Sequence, residues 1–379
     1  MYNLAELQND CSKYFKISPD ETLRIAQELY EKKMTTYPRT DARVLSTAVS
    51  KEIYKNIKGL TGYGLVSDLA KEILESGSYK GIAKSRYVND KQITDHYAII
   101  PTGQGLNNLN SMNPTAVKVY EIIVRRFLSV FFPPAVYRKV SLNVSVKGEQ
   151  FFAGFKVLES EGYLKAAAFS FSKKNKNQET ANQEKNGTSD GENAEDGEDK
   201  AMDKAFMEAL NGLKKGMELS VLDMQIKEGE TSPPKRYNSG TIILAMENAG
   251  QLIEDEELRA QIKGSGIGTS ATRAEILKKL VNIKYLSLNK KTQIITPTLM
   301  GEMIYEVVNS SIRPLLDPAL TASWEKGLTM VADGTITEEE YMKKLDDFVT
   351  RRTNIVKQTN YQSALYRLFN KAAANYKKA

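Results

Sequence analysis

Two adjacent prolines, Pro133 and Pro134, stand where this chain changes its hydrophobic period, and that change constrains the fold more than any other feature. Ahead of them, apolar residues recur at helical spacing. Behind them, Val140-Ser141-Leu142-Asn143-Val144-Ser145-Val146 alternates apolar and polar, the mark of a half-buried strand. From Ser239 the helical period returns. A chain of 379 residues patterned in this way can hold two or three domains and a sizeable core. The expected class is mixed α and β, mainly α. Its segments are helical over 1–134, β-rich over 135–236 and helical over 237–379.

Local signals place the elements. Ser18-Pro19-Asp20-Glu21 reads as a capping box with proline at the first helical position. Leu23, Ala26 and Tyr30 follow at helical spacing, Ile25 and Leu29 widen the stripe, and Lys32-Lys33 suit the C-terminus. Further helices are expected over about 46–58, 64–76 and 114–131. Strands are expected at Gln150–Val157, Tyr163–Phe171 and Glu218–Gln225. Residues 173–200 contain no Val, Ile, Leu, Met, Phe, Tyr or Trp, which predicts a disordered insert. Beyond Ser239, helices are expected at Thr241–Ala249, Ala271–Val281, Leu299–Asn309, about 318–331 and 337–357. Tyr285–Leu288 and Gln293–Thr296 flank Asn289-Lys290-Lys291 as a β-hairpin. A helix followed by such a wing is compatible with winged-helix architecture and DNA contact.

Composition narrows the partners. The net charge is +6, but residues 173–200 carry −3, which leaves +9 on the rest. A basic body with an acidic tether suits a nucleic-acid partner. Mean hydropathy is −0.43, and there is no apolar run of bilayer length. No charged, apolar, then small-residue pattern opens the sequence, so a cytoplasmic protein without a membrane partner is expected. Cys11 and His96 are the sole cysteine and histidine, so neither an intrachain disulfide nor a Cys/His zinc site is available.

The chemistry concentrates in Met34-Thr35-Thr36-Tyr37-Pro38-Arg39-Thr40-Asp41 and in Asp95-His96-Tyr97-Ala98-Ile99-Ile100-Pro101-Thr102. Tyrosine, arginine and histidine together can attack a phosphodiester. Tyr37 would supply the nucleophile, Arg39 a bidentate grip on phosphate oxygens, and His96 a donor or proton carrier. Phenols titrate near ~10, so such a site must offset deprotonation with positive charge or a base. Taken singly, each residue has a plainer reading: a packing tyrosine among 19, a surface cation, a structural histidine. Gly264, Gly266 and Gly268 could likewise be only a loop, and they lack the βαβ context of a dinucleotide site. Backbone amides at a helix start near Ser270 could nevertheless hold a phosphate.

In order along the chain, Thr36–Asp41, Asp95–Thr102, Pro233-Pro234-Lys235-Arg236-Tyr237 and Gly266-Ile267-Gly268-Thr269 with Ala271-Thr272-Arg273 resemble segments of the type IA DNA topoisomerases, most closely the bacterial topoisomerase III branch. The resemblance runs from near the first residue to about residue 350. It implies a helical domain carrying Tyr37, part of a β-rich arch and a helical base segment. It implies single-strand cleavage and religation through a 5′-phosphotyrosyl link, without ATP. Tyr37, Arg39 and His96 take catalytic roles by this likeness. Gln27, Glu31, Thr36, Thr40, Asp41, Arg236, Gly266, Gly268, Thr269, Thr272 and Arg273 take DNA-binding ones. Tyr97 departs from the family, which has Glu or His there.

The family also uses a Toprim domain with an Asp-x-Asp-x-Glu cluster that holds magnesium. Asp190-Gly191-Glu192 and Asp196-Gly197-Glu198 do not match it. The resemblance therefore places Mg²⁺ and its ligands in a Toprim domain upstream of residue 1, acting in cis or in trans. Single-stranded DNA is the implied partner and a monomer the implied state. Two alternatives stay open. One is a non-enzymatic single-strand-binding or trans-complementing module. The other is a tyrosine recombinase, which needs His-x-x-Arg, whereas Ile99 stands three residues after His96.

Overall fold

The computed structural model describes residues 1–171, 212–226, 228–262, 266–358 and 360–376. Residues 1–127 and 235–379 form one compact unit, and residues 128–234 form a second. The architecture is mixed and mainly α, with two two-stranded sheets among the described residues.

Capping sets the first helices. α1 (Leu4–Phe15) begins where the Asn3 side chain accepts the Glu6 amide. α2 (Pro19–Glu31) begins where the Ser18 hydroxyl accepts the Glu21 amide at 3.2 Å, with Pro19 in the first turn. Leu23, Ile25, Ala26 and Leu29 are buried as the stripe requires. Tyr30 departs from it: its ring is 40% exposed. α2 stops at Glu31, and Lys33 at φ +59° turns the chain into an extended run towards Tyr37. α3 (Thr47–Leu60), α4 (Ser67–Ser76) and α5 (Pro114–Ser129) lie close to their expected spans. α5 buries Val119, Tyr120, Ile122, Ile123, Val124 and Phe127, and encloses an Arg125–Glu121 ion pair at 2.7 Å.

In the second unit, β1 (Val136–Val146) pairs antiparallel with β2 (Glu149–Ser160) through a two-residue turn. Lys147 and Gly148 both have positive φ, +51° and +95°, which matches the right-handed twist of a hairpin. Val140, Leu142 and Val144 are half-buried while their neighbours are exposed, as the alternation demands. The strand expected at Tyr163–Phe171 is instead a turn and a short helix, α6 (Leu164–Ala167). Gly162 at φ +46° sits against the carbonyls of Pro133 and Pro134, and the Tyr163 amide donates to Pro133 O. That clamp turns the chain before a strand can start. The strand expected at Glu218–Gln225 has no ladder partner among the described residues, and Met217, Leu219, Val221 and Leu222 are exposed. Alternation gives a segment two faces but no partner. The insert expected at 173–200 lies outside the described residues.

The first unit resumes with α7 (Ser239–Glu247), where Asn238 and Thr241 form a reciprocal capping box. α7 packs closely on α1: a Cβ on Gly240 would stand 2.6 Å from Asn9 Cα, and the Ser12 and Ser239 hydroxyls meet at 3.0 Å. α8 (Glu256–Ile262) and α9 (Arg273–Asn282) follow, then β3 (Leu286–Leu288) and β4 (Ile295–Pro297), the expected hairpin. Ala5, Ile243, Leu277 and Ile295 join these elements in one apolar cluster. α10 (Leu299–Ser311), α11 (Pro318–Ala332) and α12 (Glu338–Gln358) match expectation, and Trp324 sets edge contacts with Tyr341 and Phe348. α13 (Gln362–Ala374) was not signalled by the sequence reading and packs beside α10. No helix among the described residues is long and apolar enough to cross a membrane.

Candidate active site

The run after α2 is stitched to residues 96–102 by backbone and threonine. The Thr36 amide donates to Ile100 O, Thr36 Oγ1 donates to Ala98 O, and the Ile100 amide returns to Thr36 Oγ1, each at 3.0 Å. The Thr102 amide donates to Met34 O at 2.9 Å, and Thr102 Oγ1 donates to Lys33 O. Beyond the tyrosine, Thr40 Oγ1 donates to His96 O at 2.7 Å and accepts the Ala42 amide. Thr36 and Thr40 thus clamp both ends of the Tyr37–Arg39 loop. Their hydroxyls are engaged with backbone rather than presented to a ligand.

This clamp sets the aromatic geometry. Tyr37 is half-buried and its ring lies 4.4 Å from the exposed His96 ring, centroid to centroid. Tyr30 meets Tyr37 edge-on at 5.3 Å. Tyr37, His96, Thr36 and Glu31 line an open cleft of about 600 Å³. Tyr30, Lys33, Thr35, Tyr97, Thr102 and Gln104 complete its walls. Burial holds the Tyr97 phenol above its ordinary range.

Arg39 does not line that cleft. It lines the adjoining one, of about 460 Å³, together with Gln27 and Arg24. Glu31 borders both and accepts from Gln27 Nε2 at 3.1 Å. Asp20, Glu28 and Glu275 give the second cleft an acidic excess.

Asp41 and Arg273, 232 residues apart, are bonded: Arg273 Nη1 meets Asp41 Oδ1 at 2.8 Å, and Arg273 Nε donates to Ile267 O. The Arg273 side chain is 1% exposed, so it presents no surface to DNA in this conformation. The Asp41 carbonyl accepts from Asn3, whose amide also reaches Glu247. Glu247 in turn pairs with Arg43 at 3.0 Å. Burial raises the Glu247 carboxyl above its usual range, against the pull of Arg43 and Arg273. This network ties the loop after Tyr37 to α7 and α9.

Gly266 at φ +64° lies against Met246 O and Glu247 O, where a Cβ would clash. α9 starts at Arg273, two residues later than expected, because Thr269 and Thr272 bond one another ahead of it. Gly268 precedes this turn at φ +66°. Arg236 is exposed and lines neither cleft. The sequence assigned no site role to Lys33, read as a helix end, to Thr35, which lies within the Tyr37 run, or to Gln104, which no motif covers. Tyr97 was visible as a departure from the family, and Tyr30 was assigned to the apolar stripe. Among the described residues no group of three or more His, Cys, Asp or Glu is placed to hold a metal ion.

A sequence profile described as DNA topoisomerase matches residues 1–343. The protein named DNA topoisomerase 3 of Bacillus licheniformis is 33% identical over 364 residues, covering 95% of this chain and 45% of the relative. That of Bacillus subtilis is 33% identical over 367 residues with the same coverages, and that of Shouchella clausii is 31% identical over 377. The chain thus spans about half the length of the curated relatives it matches. Among solved structures, full-length topoisomerase I from Thermotoga maritima superimposes with a TM-score of 0.55 at 19% identity, over 92% of this chain and 49% of that one. That likeness is one of fold.

Proposed function

This chain belongs to the type IA DNA topoisomerase family, and from that premise we propose that it is the tyrosine-bearing part of an enzyme that cuts and reseals one DNA strand. The carrying observation is Tyr37, held in an open cleft with the His96 ring at 4.4 Å by the threonine clamp. In the forward step Tyr37 Oη forms a bond to phosphorus, the bond from phosphorus to the 3′ oxygen breaks, and that oxygen takes up a proton. The phenolic proton leaves to a base or to solvent. A 5′-phosphotyrosyl link then keeps the energy of the broken bond, so reversal reseals the strand without ATP. His96, the chain's sole histidine, stands where it can donate to the phosphate or carry a proton. Arg39, two residues from Tyr37, lines the adjoining cleft, and a turn of its side chain towards Tyr37 would bring its planar fork onto the phosphate oxygens.

Thr36, Thr40 and Asp41 serve by fixing the loop, and Arg273 by anchoring Asp41. Gln27 and Glu31 lie along the approach to Tyr37, and the loop from Gly266 to Thr272 along the strand's path. In the whole protein, residues 1–134 form the tyrosine domain. Residues 135–236 form part of a β-rich arch whose hinge motion opens the gate. Residues 237–379 form a base segment with a wing-like hairpin.

The family's magnesium does not fit the described residues, which offer no ligand cluster. Its ligands belong to a Toprim domain outside this chain. By itself the chain binds single-stranded DNA with an affinity that falls as salt rises, because phosphate contacts release counterions. It does not cleave, and in isolation it is a binding module. The test compares Tyr37→Phe with the unaltered residue in a Toprim-containing form of the protein. Covalent oligonucleotide adducts on denaturing gels disappear in the variant while single-strand binding persists. Adducts that survive the substitution remove Tyr37 from the nucleophile's role.

A further inference from the structure

The cleft beside Tyr37 has walls that a phosphodiester does not need. Tyr30 and Tyr97 are partly exposed aromatics on its border, and Tyr30 already sets its edge against the Tyr37 ring. The charged groups on its lining are Lys33 and Glu31, which nearly balance. Beyond Tyr37 and His96, which face the phosphate under attack, aromatic faces with a few polar groups suit an uncharged, flat heterocycle.

Two further features point to an occupant. Thr35 is 2% exposed and lines the cleft, yet its Oγ1 has no hydrogen-bond partner among the described residues. A buried hydroxyl left unpaired costs free energy, so a small shift of this wall that lets a ligand or water bond there is favoured. Gln104 is carried on a rigid mount. Gly103 and Gly105 flank it at φ +77° and +69°. A Cβ on Gly105 would press 2.5 Å from Lys32 O, and one on Gly103 2.6 Å from Asn56 O. The Gln104 amide donates to Thr102 Oγ1, which is itself tied to Lys33 O. An exposed glutamine at a fixed place, able to donate and accept, is the kind of group that reads a base edge.

Resting on the reading of Tyr37 as the nucleophile on single-stranded DNA, we propose that this cleft takes one unstacked nucleobase of the bound strand, next to the phosphate under attack. Tyr97 and Tyr30 stack on it, and Gln104 meets its polar edge. The base fixes the register of the strand, so the pocket contributes to where the strand is cut.

The test uses the 379-residue chain and two ten-unit strands of equal charge, one of thymidine and one wholly abasic. Binding is read by fluorescence anisotropy of an end label. The thymidine strand is expected to bind ~5-fold or more tightly than the abasic one, the increment of at least one base–aromatic stack. Tyr97→Leu and Gln104→Ala each lower affinity for the thymidine strand and shrink that ratio by at least ~3-fold for Tyr97→Leu. Both leave abasic binding and the salt slope unchanged. Gln104 is exposed, so its variant keeps the fold and reads the proposal even if Tyr97→Leu does not. An unchanged ratio in both variants overturns the base pocket and leaves the single-strand reading standing. Failure of the unaltered chain to bind either strand overturns both.

Discussion

Replacing Arg273 with methionine removes the charge of a fully buried arginine from its ion pair with Asp41 while keeping most of the side-chain volume. Arg273 is 1% exposed and Asp41 is 29% exposed, with 2.8 Å between the paired atoms. Removing one partner of a buried pair costs ~3–5 kcal/mol, because the other charge is left uncompensated. Asp41 keeps nearly a third of its side chain in contact with water, which offsets part of that loss. Methionine fills the arginine stem and limits the cavity. The expected cost is therefore ~2–3 kcal/mol, or a fall of roughly 4–5 °C in Tm for a unit of about 270 residues. Asp41→Asn leaves the guanidinium buried against a neutral acceptor and should cost a similar amount. Arg273→Met with Asp41→Asn leaves no unpaired charge, so the double variant should be more stable than the sum of the single losses by ~1 kcal/mol or more. Trp324, the sole tryptophan, lies in the same unit and reports the transition by fluorescence. A loss below ~0.5 kcal/mol for Arg273→Met, or strict additivity, would refute the reasoning that charge holds Asp41 in place.

Thr40→Val strips the bond to His96 O and leaves the Ala42 amide without its hydroxyl acceptor, so urea denaturation should show a loss of ~1–3 kcal/mol. Gly240→Ala drives a Cβ to 2.6 Å from Asn9 Cα on α1. A loss of ~1–3 kcal/mol is expected there, and a neutral outcome would mean that α1 and α7 are packed less closely than described. The Cys11 thiol is fully buried, and burial pushes its pKa up from the ordinary thiol value. It should resist a disulfide reagent at pH 8 until the chain is unfolded. Fast native labelling would contradict its placement in the α1 core.

The helices were legible because their signals are local. Ser18 and the apolar stripe fix α2, the helical period from Ser239 places α7 within a few residues, and the period change at Pro133-Pro134 places β1 correctly. The failures lie where distant parts decide. Tyr163–Phe171 carries strand-forming residues, but Gly162 packed on two proline carbonyls turns it into α6. Tyr30 fits the apolar stripe by spacing, yet α2 ends one residue later and leaves its ring in the cleft. The Tyr37 and His96 motifs were readable from residue types, and the structure brings those two rings together. The bond from Asp41 to Arg273 was not readable, since nothing in either local run names a partner 232 residues away. Thr36 and Thr40 were visible as motif residues, but only geometry shows their hydroxyls spent on backbone.

The most direct measurement is chemical identification of the trapped intermediate. A Toprim-containing form of the protein would be incubated with a single-stranded oligonucleotide and magnesium, denatured, digested and sequenced by mass spectrometry. The account predicts one modified peptide, spanning Met34–Asp41, with Tyr37 joined to the 5′ phosphate of the downstream fragment. A 3′-phosphotyrosyl link, or an adduct on any other tyrosine, would contradict it.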